Sequence, residues 1–556
     1  MSASYKGHIA DIVGRRMFDG EITVDEGRIV SVMESNDVPS DAPYFLPGFI
    51  DSHVHIESSM MVPAEFARVA VEQGSIGVVA DPHEIANVLG IKGIDFMIKS
   101  GSHIRFNFCF GAPSSVPSCG SDIETSGAVL GSAEIAELMA RNDIGFLAEM
   151  MNYPGVLSSD PEVMAKIEAA RSNGKPVDGH SPGLNREQRF AYARAGISTD
   201  HECSNLSEAL DCIDAGMMVQ IREGSAAKNY QNLSSLLASH PDKVMFCTDD
   251  CHPGDLIRGH INAIVKRALG DGYELWDVLR AASLNPQLHY GLSWGLLRAG
   301  DPANFIALDN LSPKFRILST FIRGKKVYDC NSYLSTIKSH TKSLLNQMAI
   351  LDNYPNHFVA RPIAAEDIAL EIKGGDKVHI IVASDGSLLT GHDIVEVSGN
   401  PLTDHKYPWT DVQKIVVYNR YDEGARPTVG LIRGFGIKNG AMAASIAHDC
   451  HNIVAVGSSD EHLVRAINRV IEMKGGEVAI CGDEMTDIAL PIAGLISPVG
   501  GHEIAYKSSM LCDTIRKAGC TMNSPFITMA FMCLPVIPEL KLTDKGLWDC
   551  SQWRMI

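Results

Sequence analysis

Eight short apolar runs punctuate residues 48–297, at 48–50, 77–80, 106–110, 145–148, 176–177, 196–198, 217–221 and 244–247. Helical patterns fall between most of them, for example at 63–73, 132–141, 161–173 and 204–215. Such alternation over roughly 250 residues predicts an α/β fold of the (β/α)8, TIM-type barrel kind. A doubly wound open sheet shows the same alternation. The polar residues separate the two. Nearly every run ends in groups that bind metal or move protons: Asp51, His53 and His55; Asp81, His83 and Glu84; Glu149; His180; Asp200 and His201; Arg222 and Glu223; Asp249 and Asp250. Barrels gather their chemistry at the C-terminal ends of all their strands, whereas an open sheet needs it at one switch point. The pattern favours the barrel.

The flanks read differently. Residues 7–32 alternate apolar and polar around the turns Asp19-Gly20 and Glu26-Gly27, and a β-rich stretch returns at 304–328. After about Leu345 the pattern changes, with strands expected at 378–384, 414–418, 429–432 and 477–480 and a helix at 459–474. The expected division is a small β-domain of 1–47 plus 298–345, a catalytic barrel of 48–297, and a C-terminal α+β domain of 346–556. The glycine-rich segment 434–440 lacks dinucleotide-binding spacing and reads as a backbone turn before a helix-like stretch.

Charge narrows the partners. Among 556 residues, 67 acidic against 48 basic side chains leave a net charge of −19. This argues against a nucleic-acid backbone or an anionic membrane and leaves room for a small substrate in a local pocket. Thirteen cysteines without a C-x-x-C pair read as free thiols of a reducing compartment. Residues 1–19 carry no apolar signal, and the apolar stretch 526–534 is too short to span a bilayer. The expectation is a soluble, cytoplasmic protein.

His53 and His55 stand two apart on an extended run, so both rings face one side. Alone such a pair is weak evidence. With His180, His201 and Asp249 at later strand ends, it fits one or two divalent ions. Glu149 is either a solvated loop carboxylate or a bridge between two ions. Burial against Met150, Met151 and Tyr153 favours the bridge. Cys203, Cys247 and Cys251, without thiolate spacing, read as small core residues.

Residues 47–55, Pro-Gly-Phe-Ile-Asp-Ser-His-Val-His, resemble the opening strand of the amidohydrolase superfamily, and the divided β-domain, including 299–305, is similar to it as well. Residues 53–60, 80–90, 149–152 and 534–540 resemble the adenine deaminase family within it. The resemblance covers essentially the whole chain. It implies two divalent ions, manganese or iron with zinc as a further option, held by His53, His55, a bridging Glu149, His180, His201 and Asp249. Many superfamily members carry a carboxylated lysine where Glu149 stands, and the H-x-E…P-C-x-x-C signature of zinc nucleobase deaminases is absent.

The implied reaction is hydrolysis of adenine to hypoxanthine and ammonia in purine salvage; another cyclic amidine or amide, or an inactive scaffold, are the alternatives. Asp249 would be the general base. An acid is needed beside N1, and Glu84, kept protonated by desolvation, is the first candidate, with Glu57 and Glu223 as competitors. His83, Glu57, Arg222 and Glu223 are the candidate substrate contacts; His83 is equally an extra metal ligand or a turn cap. Arg222 and Lys228 close over the pocket or form ordinary salt bridges, Asp250 orients nearby groups or makes a structural hydrogen bond, and His252 and Pro253 shape the rim. The segment His448 to His451 receives no role. Family members assemble, so a homo-oligomer, a dimer, is expected.

Overall fold

The computed structural model describes residues 2–331, 354–397 and 411–556. The expected boundary at 345/346 lies outside them. The N-terminal alternation folds as expected into a meander of Ala3–Asp11, Arg16–Asp25 and Arg28–Glu34, with Gly7 opposite Gly20. Tyr44–Pro47 adds in parallel, and Phe305–Leu308, Ile317–Ile322 and Lys325–Asp329 complete a seven-stranded sheet from the far side of the barrel. Ile9, Ile22, Phe45, Phe305 and Phe321 form its buried face.

Eight parallel strands build the barrel: Phe49–His55, Ser75–Ala80, Asn107–Ala112, Ile144–Met150, Val177–Gly179, Thr199–Asp200, Met218–Arg222 and Val244–Cys247, the last continued by Asp249–Asp250. Asp249 and Asp250 pair with Val54 and His55, bringing the eighth strand back to the first. Between the fifth and sixth, the Ser198 N–H donates to the Val177 carbonyl at 2.9 Å. The strands read as continuous apolar runs because helices cover one face and the barrel interior the other. The helices begin where side chains cap them: Asp160 accepts from the N–H groups of Glu162 and Val163 ahead of Pro161–Ser172, and Asn205 from Glu208 ahead of Leu206–Asp214. One expectation shifts. The sixth strand starts at Thr199 rather than Gly196, because Gly196, at φ +119°, makes the turn out of the preceding helix.

The C-terminal sheet runs in the order Gly391–Glu396, Lys377–Val382, Thr428–Arg433, Val412–Tyr418, Ile453–Gly457, Gly440–Ala444, Gly476–Cys481, Glu484–Ala489. Helix Asp460–Glu472 packs Leu463, Ile467 and Val470 onto one face. Helix Gly501–Lys517 lies between the strands Gly476–Cys481 and Glu484–Ala489 and the barrel helices Pro63–Ala70 and Pro253–Arg258. The glycine-rich segment 434–440 is a turn as read, but it leads into a strand, Gly440–Ala444, not a helix. A Cβ at Gly440 would lie 1.9 Å from the Ile480 carbonyl oxygen, so the close strand pairing requires glycine. No helix among the described residues is long and apolar enough to cross a membrane.

Candidate metal centre

The strand ends deliver the expected residues to one place. His53 and His55, both buried, bring their Nε2 atoms within 3.2 Å of each other. Glu149 stands at the end of the fourth strand with its two oxygens facing different imidazoles. Oε1 is 3.3 Å from His55 Nε2, 3.4 Å from His83 Nδ1 and 4.0 Å from His53 Nε2. Oε2 is 2.9 Å from His180 Nδ1 and 3.2 Å from His201 Nε2. Asp249 closes the ring, with Oδ1 3.4 Å from His55 Nε2 and Oδ2 3.9 Å from His201 Nε2.

These separations suit cations. Two donor atoms each about 2.1 Å from one ion, at right to tetrahedral angles, stand about 3.0–3.4 Å apart. Most of the distances around Glu149 fall in that interval. The donor set, imidazole nitrogens plus carboxylate oxygens, is the kind that manganese, iron and zinc take. The residues present therefore fit divalent ions.

Neighbouring groups fix these donors. The His55 Nδ1–H donates to the Asp81 carbonyl at 3.1 Å, which turns the Nε2 lone pair inward. The Tyr192 hydroxyl donates to the Met150 carbonyl and accepts the His180 N–H. Beneath the eighth strand, Asp51 accepts from the Thr248 N–H at 3.1 Å and from its hydroxyl at 2.5 Å. Asp51 also pairs with His260 Nε2 at 2.8 Å, whose Nδ1 meets Ser75 Oγ. This chain pins the residue immediately before Asp249. Arg222 binds Asp249 on one side and Glu202 Oε1, at 2.6 Å, on the other.

The electrostatics follow from this packing. Burial alone would raise the Glu149 carboxyl, but hydrogen bonds from His180, His201 and His55 hold it well below its usual range. Burial is likewise overruled at Asp249 by Arg222. His53 falls well below its usual value through burial and its neighbours His201 and His55. His55, His180 and His201, facing Glu149, Glu202 and Asp249, are held above their usual value, so an ion at these nitrogens would displace protons.

A small cavity opens above this cluster. His83, Glu84, Glu202, Arg222 and Asp250 line its barrel side. Asp250 accepts from Ser58 Oγ at 2.5 Å. Leu388, Phe531, Leu534 and Ile537 close it from the C-terminal region with apolar surface, beside His448 and Asp449.

Several expectations are corrected here. Glu84 is not a desolvated, proton-bearing acid: despite burial, His448, His83 and His451 hold it well below its usual range. Its Oε1 lies 2.6 Å from His448 Nδ1, and its Oε2 meets His451 Nε2. The segment given no role thus reaches the cavity. Glu57 sits behind the wall and accepts the Ile85 N–H at 3.2 Å; burial pushes its carboxyl up to about 7. Glu223 turns away to Arg267, 3.0 Å off, because the chain there doubles back in the bridge it makes with Lys228. Neither Glu57, Glu223 nor Lys228 lines the cavity. His252 faces a separate groove with Arg258 and Ser509 rather than the rim, and Pro253 opens the helix behind it. Glu202, 3.4 Å from His201 Nε2, was missed, though it directly follows a proposed ligand.

A family model described as the amidohydrolase family matches residues 44–327, and a second, the adenine deaminase C-terminal domain, matches 387–554. An adenine deaminase of Methanosarcina mazei is 45% identical over 559 residues, covering 99% of this chain and 98% of that protein. One of Salinibacter ruber is 43% identical, covering 100% and 98%. One of Borreliella burgdorferi is 40% identical, covering 98% and 97%. With both halves matched and relatives aligned from end to end, the chain belongs to the adenine deaminase family of amidohydrolases.

Proposed function

We propose that the chain hydrolyses adenine to hypoxanthine and ammonia as a step of purine salvage. The observation that carries the reading is Glu149, one carboxylate set between two groups of imidazoles at the floor of a cavity. In this reading His53, His55, Glu149, His180, His201 and Asp249 hold two divalent ions, manganese or iron, with zinc also compatible. When bound, such ions supply Lewis acidity and a water of lowered pKa.

The side chains do the rest. Asp249, ionised and gripped by Arg222, accepts a proton from the attacking water and returns it to the departing amino group. His83 and the Glu84 carboxylate face the substrate edge, and Glu84 passes the second proton of the attacking water to N1. Leu388, Phe531, Leu534 and Ile537 cover the ring faces and exclude water. All six ligand positions are filled, which speaks against an inactive scaffold. A cytoplasmic setting, with the thirteen cysteines as free thiols, is part of this proposal. Assembly as a dimer and the division at 47/48, 297/298 and 345/346 belong to the same proposal.

Ammonia release from adenine by the purified, manganese-loaded protein is the test, run beside Asp249→Asn. Turnover that disappears in the variant supports substrate and base together. No turnover with two ions bound keeps the hydrolase site and removes adenine as its substrate.

A further inference from the structure

Residues 445–452 connect the strands Gly440–Ala444 and Ile453–Gly457, and all eight are buried. Hairpin connections ordinarily lie in water, where their backbone groups are satisfied. This one lies against the barrel mouth, and several of its polar groups find partners in a barrel loop and in the C-terminal region. Asn452 donates its amide to the Thr125 carbonyl at 3.0 Å, a contact from the C-terminal sheet to a barrel loop. The Tyr421 hydroxyl donates to the Cys450 carbonyl at 2.6 Å, Ser445 Oγ to the Gly494 carbonyl at 2.6 Å, and the His448 N–H to the Ala530 carbonyl at 3.1 Å.

Held this way, the connection sends two imidazoles to one carboxylate. His448 Nδ1 lies 2.6 Å from Glu84 Oε1, and His451 Nε2 meets Glu84 Oε2. The His448 ring stacks on Phe531, centroids 4.4 Å apart at 15°, so its plane is set by packing before Glu84 is considered. A carboxylate has about four lone-pair positions; His448 and His451 take two, and His83 Nε2 stands 3.4 Å from Oε1 on the cavity side. The plane of Glu84 is thereby fixed while its remaining lone pairs are left to His83 and a ligand. Glu84 and His448 both line the cavity, whereas a tie serving only to join two sheets needs no place on its wall. Apolar packing serves such a tie equally well, since a buried ion pair is weak support for stability.

We infer that His448 and His451 are positioning residues: they hold the Glu84 carboxylate at its working place and make the C-terminal sheet part of the active site. The inference rests on the deamination proposed above. His448 acts through its Nδ1–H and His451 through its Nε2, which defines the substitutions. In an asparagine the side-chain amide nitrogen stands where His Nδ1 does; in a glutamine it stands where Nε2 does.

The experiment uses the full-length, metal-loaded protein with His448→Leu, His448→Asn, His451→Leu, His451→Gln and Glu84→Gln. The leucine variants are expected to lose about 100-fold in kcat, within the range for misplacing a proton-handling group, with metal content and KM unchanged. The asparagine and glutamine variants are expected to recover most of that loss. In a Glu84→Gln background, His448→Leu is expected to cost nothing further, since residues acting as one unit are not additive. Full kcat in the leucine variants, equal losses in leucine and amide variants, or additive losses would each overturn the inference. A low-field proton resonance of the His448 N–H, distinct from that of the His260–Asp51 pair, is expected in the wild type and absent from Glu84→Gln. It needs no turnover and no leucine variant. Its persistence in Glu84→Gln removes the contact, whereas its presence in an enzyme inert towards adenine removes the proposed substrate instead.

Discussion

Glu149 faces His55 and His83 with one oxygen and His180 and His201 with the other. Glu149→Gln keeps the shape but removes the charge that both groups share. The variant is expected to bind fewer than two ions per chain, read by elemental mass spectrometry, and to lose more than about 100-fold in kcat, beyond what outer-shell changes cost. A second residue speaks to stability. Glu477 is buried on the strand Gly476–Cys481, and burial pushes its carboxyl from 4.5 up to about 8. Below pH 4.5 it is protonated folded or unfolded; above about 8 it is ionised in both. Between these values the folded chain binds the extra proton, so stability falls as pH rises. Glu477→Gln is expected to flatten that fall in Tm across the window, and an unchanged slope would rule out Glu477 as its source. The six proposed ligands were legible because each closes an apolar run, where sequence position and spatial position coincide. His451 was not, since it meets Glu84 from 367 positions away and no local pattern encodes that distance.

At the level of elements, barrel strands were legible because both their faces are covered, which makes them unbroken apolar runs. The strand Gly440–Ala444 was misread for a physical reason. Alanine and methionine favour helices in isolation, yet here small side chains let helices Asp460–Glu472 and Gly501–Lys517 approach the strand from its two faces. Gly440→Ala places a Cβ into the Ile480 carbonyl. The expected cost is about 1–3 kcal/mol, the usual range for overpacking, seen as a lower midpoint in denaturant unfolding. Unchanged stability would mean that the two strands can move apart freely. The eighth strand could be placed from its run alone, but the Asp51–His260–Ser75 chain beneath it could not, because its members come from three separate elements.

Across the whole molecule, one hydrophobic core runs from barrel residues such as Ile50 and Phe66 to Phe435, Leu511 and Phe531. The amphipathic patterns identified which faces are apolar without saying which face meets which, so the docking of the C-terminal sheet was not legible. Ion binding should also act on the whole fold. Removing the ions leaves several imidazoles and carboxylates packed without the charge that reconciles them, and ligands that bind only the folded state stabilise it by about 4 kcal/mol at a thousandfold excess over Kd. Chelator-treated protein is expected to melt at lower temperature in calorimetry and to recover on adding manganese. An identical Tm with and without ions would show that the cluster does not bind them tightly.

The buried connection 445–452 also sets a schedule. Every barrel strand is synthesised before it, so a growing chain can gather all its proposed metal ligands while the cavity still lacks one wall. Its reactive floor would then stand open to water and to stray metal ions. The cavity of the proposed reaction is complete only with the later sheet against the earlier barrel, so a chain ending before Gly440 would carry the proposed ligands without that wall.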